Sequence, residues 1–178
     1  MSEEADIVHI LLHEDLERKS ITLSRGDMLL RAGEVERAIY YIVSGAIHAF
    51  YVSDKAEHSI RFGYKNSLIT SIPSFYDQRP SEVYLQAIRK TEVIAITRDS
   101  FMQLRDRDER LGRLYSRSLE LLAGQQMERE IDLLTASPSE RVQRVLDRSP
   151  AVFQEIPSKY IASYLRMTPE TLSRILNS

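Results

Sequence analysis

The sequence predicts an α+β protein in three successive blocks: a β-roll or barrel, one long helix, and a group of short helices that ends in a helix-turn-helix. Three observations carry this. Between Ile21 and Ile96, short runs rich in Ile, Val and Tyr alternate with turn residues. From Asp99 to Leu134, apolar residues recur at helical spacing with no proline between them. The final stretch, KYIASYLRMTPETLSRILNS, reads as two short helices joined by a tight turn.

A chain of 178 residues with 43% hydrophobic content buries a substantial core and has room for a small second module. Charged residues make up 28% with a net charge of -2, which excludes both a disordered polyelectrolyte and a strongly basic nucleic-acid coat protein. The absence of cysteine excludes disulfides, thiolate zinc sites, cysteine-ligated iron–sulfur clusters and cysteine nucleophiles, and fits a reducing cytoplasm. The opening MSEEADIVHILLHEDLERK carries early acids and lacks a basic region followed by an apolar run, so an amphipathic helix is expected rather than a secretory signal. The most apolar segment, AIYYIVSGAIHAFYV, is broken by Ser44, Gly45 and His48 and falls short of a membrane span, so a soluble protein is expected.

After the first helix, strands are expected at ITL, MLLRAG, AIYYIVSG, AIHAFYVS, HSIRFGY, VYLQAIR and EVIAIT. Gly26, Gly33 and Gly45 fall between these runs, where a turn needs positive φ. The segment from Asp99 to Leu134 is expected as a single helix. Leu111, Leu114, Ser118, Leu121 and Gln125 are spaced by three and four along it, as in a seam facing the same helix of a second copy; the alternative is that this stripe packs on the chain's own roll.

Beyond it, three short helices are expected. Ser137, Pro138 and Glu140 form a capping box, and Thr168 with Pro169 marks a helix start. Ile161 and Leu165 share a face that can pack on Leu172 and Ile175, which turns Pro169, Glu170, Thr171, Ser173 and Arg174 outward. Arginine grips guanine edges or phosphates, glutamate accepts from cytosine, and Ser or Thr contacts phosphate or a thymine methyl. A helical hairpin with a merely solvated face has the same pattern.

The stretches LSRGDMLLRAGEVERAIYYIVSGAIHAFYV and IPSKYIASYLRMTPETLSRIL, in that order, resemble the β-roll opening and the helix-turn-helix of the Crp/Fnr transcription regulators. The resemblance implies an N-terminal double-stranded β-helix (jelly-roll) sensor domain over 1–107, a dimerisation helix over 108–135 and a helix-turn-helix domain over 136–178. It also implies binding to double-stranded DNA as a homodimer at pseudo-palindromic sites, with RNA polymerase as a further partner and a cytoplasmic location. Pro169, Glu170, Thr171, Ser173 and Arg174 take the recognition positions, and Ser158, Lys159, Arg166 and Thr168 complete the candidate DNA contacts.

The chain departs from the family in three places. Where cyclic-AMP-binding members carry a Glu for the ribose and an Arg for the cyclic phosphate, this sequence has Ser71 and Pro80, with Glu82 in place of a small residue and only Ser81 retained. Usual cyclic AMP binding is therefore not expected: a buried phosphate would lose its guanidinium and meet a carboxylate. The candidate pocket residues are Ser71, Arg79, Ser81 and Tyr84, for a small-molecule effector of unspecified chemistry and no built-in cofactor. Arg79, one residue early, would face away if it lay on a strand. Second, Arg166 occupies the turn position where the family has Gly; positive φ there costs about 1 kcal/mol, so a reshaped or strained turn is expected, the alternative being that Arg166 is a phosphate contact. Third, four residues follow Arg174, so no wing is expected after the recognition helix. Residues 136–178 hold six Lys/Arg against four Asp/Glu, a net of +2 that favours binding as a dimer.

An enzyme is the rival class. Metal-dependent rolls of the cupin kind need clustered histidines with a carboxylate, whereas only His48 and His58 lie in the roll and they form no His-x-His. His9, His13 and Glu14 share the first helix but lack the zinc-protease order, so no metal site is expected. No Gly-rich phosphate loop or Gly-x-Ser-x-Gly elbow is present. The remaining alternative is a ligand-sensing or protein-interaction β-roll that does not bind DNA.

Overall fold

The computed structural model describes residues 3–177. The order of elements is α1 (Glu3–His13), β1 (Arg18–Leu23), β2 (Met28–Leu30), β3 (Ala38–Ser44), β4 (Ala46–Ser53), β5 (Ala56–Tyr64), β6 (Leu68–Ile69), α2 (Ile72–Asp77), β7 (Tyr84–Ala87), β8 (Thr91–Thr97), α3 (Arg98–Arg107), α4 (Glu109–Leu134), α5 (Pro138–Arg148), α6 (Pro150–Glu155), α7 (Ser158–Tyr164) and α8 (Pro169–Leu176). The strands form two four-stranded antiparallel sheets, ordered β1-β8-β3-β6 and β2-β7-β4-β5. Alternation along each strand divides its residues between faces. Tyr40, Ile42, Ile47, Ala49, Leu85, Ala87, Val93 and Ala95 meet between the sheets. The outer face of the first sheet packs Ile39 and Ile96 against Ile7 and Leu11 of α1, Phe101 and Leu104 of α3, and Leu111 and Tyr115 of α4. The outer face of the second sheet contributes Ala46, Phe62, Tyr64 and Ile88 to the core of α5–α8.

Gly26, Gly33 and Gly45 all have φ near +90°, as the turn reading expects. Gly45 is the most constrained, because a Cβ there would collide with the backbone of Lys90 and Thr91. Between β4 and β5 the register slips: Ala49 faces Arg61 while Phe50 faces Ser59, which leaves Ile60 as the extra residue of a bulge.

Three expectations about helices need correction. The segment from Asp99 to Leu134 is not one helix, because Asp108 takes extended φ and ψ of −107° and 100° and caps α4, accepting from the N–H of Arg110 at 2.8 Å and Leu111 at 3.1 Å. Four short helices, not three, follow α4 among the described residues; the extra one, α6, starts with Ser149–Pro150, the same start signal as Ser137–Pro138 and Thr168–Pro169. Helix α2 was not expected at all. Its six residues are too few for a periodic signal.

The stripe of Leu111, Leu114, Ser118, Leu121 and Gln125 starts buried against the chain's own body at Leu111 and ends exposed at Leu121 and Gln125. Leu111 is fully buried and Leu114 packs beside it in the α1–α3 core, while Ser118, Leu121 and Gln125 border a cleft of about 300 Å³ between α4, β5 and α5–α7. The opposite face of α4 carries Met127, Ile131 and Leu134 at i, i+4 and i+7, exposed by 68%, 46% and 79%. No helix among the described residues is long and apolar enough to cross a membrane.

Candidate ligand pocket and nucleic-acid interface

The loop and short helix between β6 and β7 close one side of a cavity of about 390 Å³ inside the roll, and Leu122 and Gln126 of α4 close another. The structure brings Ser71 and Ser81 together as predicted, with their Oγ atoms 2.9 Å apart and both side chains buried. Ser81 Oγ donates to the carbonyl of Val83 at 2.9 Å and accepts its N–H at 3.1 Å, so the single proton of Ser71 is the one shared between the two hydroxyls. Ser74 Oγ donates to the carbonyl of Arg79 at 2.6 Å and accepts the N–H of Glu36 at 2.9 Å. Burial drives the Glu36 carboxyl up from its ordinary pKa, against hydrogen bonds from Ala38 N–H, Tyr40 Oη, Ser71 N–H and Arg37 N–H that favour its charge. These groups hold the loop in shape and present few spare donors to the cavity.

One pocket residue, Tyr84, lies elsewhere than expected. Tyr84 faces the outer side of its sheet, stacked on Phe50 at 5.0 Å, because β7 alternates and Leu85 takes the inner position. Arg79 does line the cavity, since residues 78–83 form no strand and the alternation argument does not apply there; its side chain is 62% exposed and pairs with Asp77 at 3.4 Å. The guanidinium that the sequence reading missed is Arg61. The bulge at Ile60 places Ile60 and Arg61 both against the cavity, and simple alternation would not have found them.

The helix-turn-helix forms as expected. Thr168 Oγ1 caps α8 by accepting the N–H of Thr171 at 3.2 Å, and Ile161, Leu165 and Leu172 are buried with Ile175 packed beside them. Pro169, Glu170, Ser173 and Arg174 are exposed, Thr171 half so. The carboxyl of Glu170 is held below its ordinary pKa by its own backbone N–H and by Thr168. Ser158 and Lys159 are exposed at the start of α7, with Lys159 Nζ 4.4 Å from the Tyr160 ring centre. Arg166 does adopt the left-handed conformation, with φ of 56°, and its Nη1 lies 3.2 Å from His58 Nδ1. Three basic residues of this region are tied down: Arg141 donates to the carbonyl of Leu165 at 3.0 Å, and Arg144 and Arg148 bind Asp132. Lys159, Arg166 and Arg174 are the basic side chains of this region that stand exposed to solvent.

Helix α7 is seated on β5, so the helix-turn-helix and the roll share one core. Ser59 holds the junction with every polar group it has. Its N–H reaches Ser163 Oγ at 3.3 Å, its hydroxyl donates to the carbonyl of Tyr160 at 3.3 Å, and its carbonyl accepts from Arg129 of α4 at 2.8 Å. Arg89 and Glu155 add an ion pair across the same boundary.

His48, candidate for a metal roll, lies instead in this junction, stacked on Phe50 and Phe62 and tilted against Tyr160. Because the Ser59 proton goes to Tyr160, His48 Nε2–H is the donor to Ser59 Oγ at 2.8 Å, and the buried Nδ1 finds no partner among the described residues. Burial first, and the Lys159 charge second, push its pKa down to about 4. The unfolded chain takes this proton near pH 6.5 while the folded site refuses it, so stability falls as pH drops from about 6.5 towards 4. Replacing His48→Gln removes this loss, and chemical denaturation at pH 7 and pH 4.5 should show a pH dependence smaller by about 2–3 kcal/mol than in the unmodified protein. His58 bonds Ser53 Oγ at 3.0 Å, and His13 stacks on His9 with ring centres 4.0 Å apart. Among the described residues no group of three or more acidic or histidine side chains is placed to hold a metal.

Residues 20–108 match the cyclic nucleotide-binding domain family. No curated protein matches the chain. Among solved structures, FixK2 from Bradyrhizobium japonicum is 21% identical with a TM-score of 0.72, over 91% of this chain and 84% of that one. A CooA variant from Carboxydothermus hydrogenoformans is 14% identical with a TM-score of 0.75, over 96% and 82%. The c-di-GMP-responsive global regulator CLP from Xanthomonas campestris is 15% identical with a TM-score of 0.69, over 97% and 90%.

Proposed function

The chain belongs to the cyclic nucleotide-binding domain family in the Crp/Fnr arrangement, and from that premise we propose that it is a DNA-binding transcription regulator that reads pseudo-palindromic sites as a homodimer. It is a binding protein and not an enzyme. The observation that carries the reading is α8: a capped helix with one side buried on α7 and with Glu170, Ser173 and Arg174 projecting into solvent. Residues 1–107 act as the sensor, 108–135 as the dimerisation helix and 136–178 as the reader, in the cytoplasm with RNA polymerase as a further partner.

The dimer forms through the exposed face of α4, where Met127, Ile131 and Leu134 continue the small positions Ala123 and Gly124. Two such helices side by side would set the reading helices against successive major grooves, about 34 Å apart. The route from sensor to reader runs along β5. Ile60 and Arg61 border the cavity, and the residue before them, Ser59, binds both α7 and α4. A cavity occupant that shifts the bulge therefore bears on the reader directly.

The test is duplex binding by the Arg174→Ala variant. Loss of one base or phosphate contact per half-site should weaken binding at least about tenfold while leaving the melting curve unchanged. Unaltered affinity would remove α8 as the reading element and favour a β-roll sensor that does not bind DNA.

A further inference from the structure

We propose that the roll cavity takes an apolar organic anion, a carboxylate on an aliphatic or aromatic body, with Arg61 as its charge partner. The inference rests on the reading of the cavity as a sensor site and names what enters it.

The walls set the body of the ligand. Ile60, Ile69, Ile72, Val83, Leu85 and Leu122 dominate the lining, and about 390 Å³ is within the range that encloses a small organic molecule. The polar groups argue against a sugar. The Ser71 and Ser81 hydroxyls are spent on each other and on Val83, and that of Ser74 on Arg79 and Glu36. A ribose buried here would find no free proton on these three serines, and each hydroxyl left unpaired costs about 1–3 kcal/mol. A cyclic phosphate placed against Pro80 would find no N–H there.

The head of the ligand is set by Arg61. It is half-buried on β5 opposite Ala49, and it borders this cavity and both neighbouring clefts along α4. Its planar fork suits a carboxylate, with two parallel N–H···O bonds. Arg79, the other guanidinium at the rim, is largely solvated, so a charge pair there gains little. An anion drawn to Arg61 also pulls on the bulge that Ser59 anchors, so the chemistry that recognises the ligand and the contact that reports it are neighbours in one strand.

The experiment is calorimetric titration of the full chain with decanoate, with decanol as the uncharged control and with cyclic AMP, repeated for Arg61→Gln, Arg61→Lys and Arg79→Gln. Decanoate should bind at least about tenfold more tightly than decanol and than cyclic AMP. Arg61→Gln should erase that preference for the charged head, Arg61→Lys should keep part of it, and Arg79→Gln should leave it within about twofold. Equal affinity for decanoate and decanol, decanoate affinity indifferent to Arg61, no decanoate binding, or cyclic AMP as the tighter ligand would each overturn the assignment. Thermal melting of each variant separates lost binding from lost folding, and the Lys variant carries the test if the Gln variant is unstable. Ligand-free duplex binding by the unmodified protein reports on the regulator reading separately: it persists if only the ligand class is wrong.

Discussion

Replacing Asp132→Ala should lower the melting temperature by roughly 6–12 °C, from a loss of about 3 kcal/mol in a chain of this size. Asp132 lies near the end of α4 with its side chain fully buried, and it takes Arg144 Nε at 2.7 Å and Arg148 Nη2 from α5. Burial would raise its pKa, but hydrogen bonds from Arg148 and Arg144 outweigh burial and hold it below the ordinary carboxylate value. Removing the carboxylate leaves two guanidiniums crowded together with Glu128 as the carboxylate beside them, at 2.9 Å and 3.7 Å. The depressed pKa fixes the sign of the pH effect: the contribution is present above the unfolded pKa of about 3.9 and is lost as pH falls through the lower folded value. Glu128→Ala, removing a half-exposed partner, should cost under about 1 kcal/mol. A shift below about 2 °C for Asp132→Ala in a circular-dichroism melt would show that the reader's first helix is not held to α4 by this cluster.

Ile131→Glu should convert the dimer to a monomer and reduce duplex affinity by about two orders of magnitude or more. The residue is 46% exposed on the face of α4 that carries Met127 and Leu134, so a carboxylate there can reach solvent within one copy. Across a two-fold axis, two such carboxylates would face each other in an apolar contact, an unpaired burial of charge. A monomer reads one half-site and forfeits the second, which the dimer binds at high effective concentration. Analytical ultracentrifugation checks the first step and fluorescence anisotropy on a selected duplex the second. A dimer that survives Ile131→Glu would place the contact elsewhere. Leu111→Glu is the contrasting control, because that fully buried residue should unfold the α1–α3 core instead.

Much of this arrangement was legible in the sequence, and where it was not the reason is physical. Local signals were read correctly where a single residue decides the geometry. The positive φ of Gly26, Gly33 and Gly45, the caps at Ser137 and Thr168, and the strained turn at Arg166 all follow from backbone sterics and unpaired N–H groups near in sequence. The stripe from Leu111 to Gln125 left its partner open, because three-and-four spacing says only that a helix has an apolar face, not which body covers it. Met127, Ile131 and Leu134, exposed on the opposite face, have the same spacing. At the pocket, Ser71 and Ser81 were found from resemblance, whereas Tyr84 was misplaced and Arg61 missed, because facing in a strand depends on register and a bulge at Ile60 resets it. The docking of α7 on β5 joins residues about a hundred positions apart, such as Ser59 and Tyr160, and no local pattern encodes that.

The central claim, that α8 is the reading helix of a symmetric dimer, is tested most directly by selecting duplexes from a randomised DNA pool at low salt with the unmodified protein and Arg174→Ala in parallel. The account predicts enrichment of a two-fold-symmetric site with half-sites one helical turn apart, about 10 base pairs, that is lost in Arg174→Ala. Enrichment that Arg174→Ala leaves intact, or no enrichment at all with a correctly folded dimer, would contradict it.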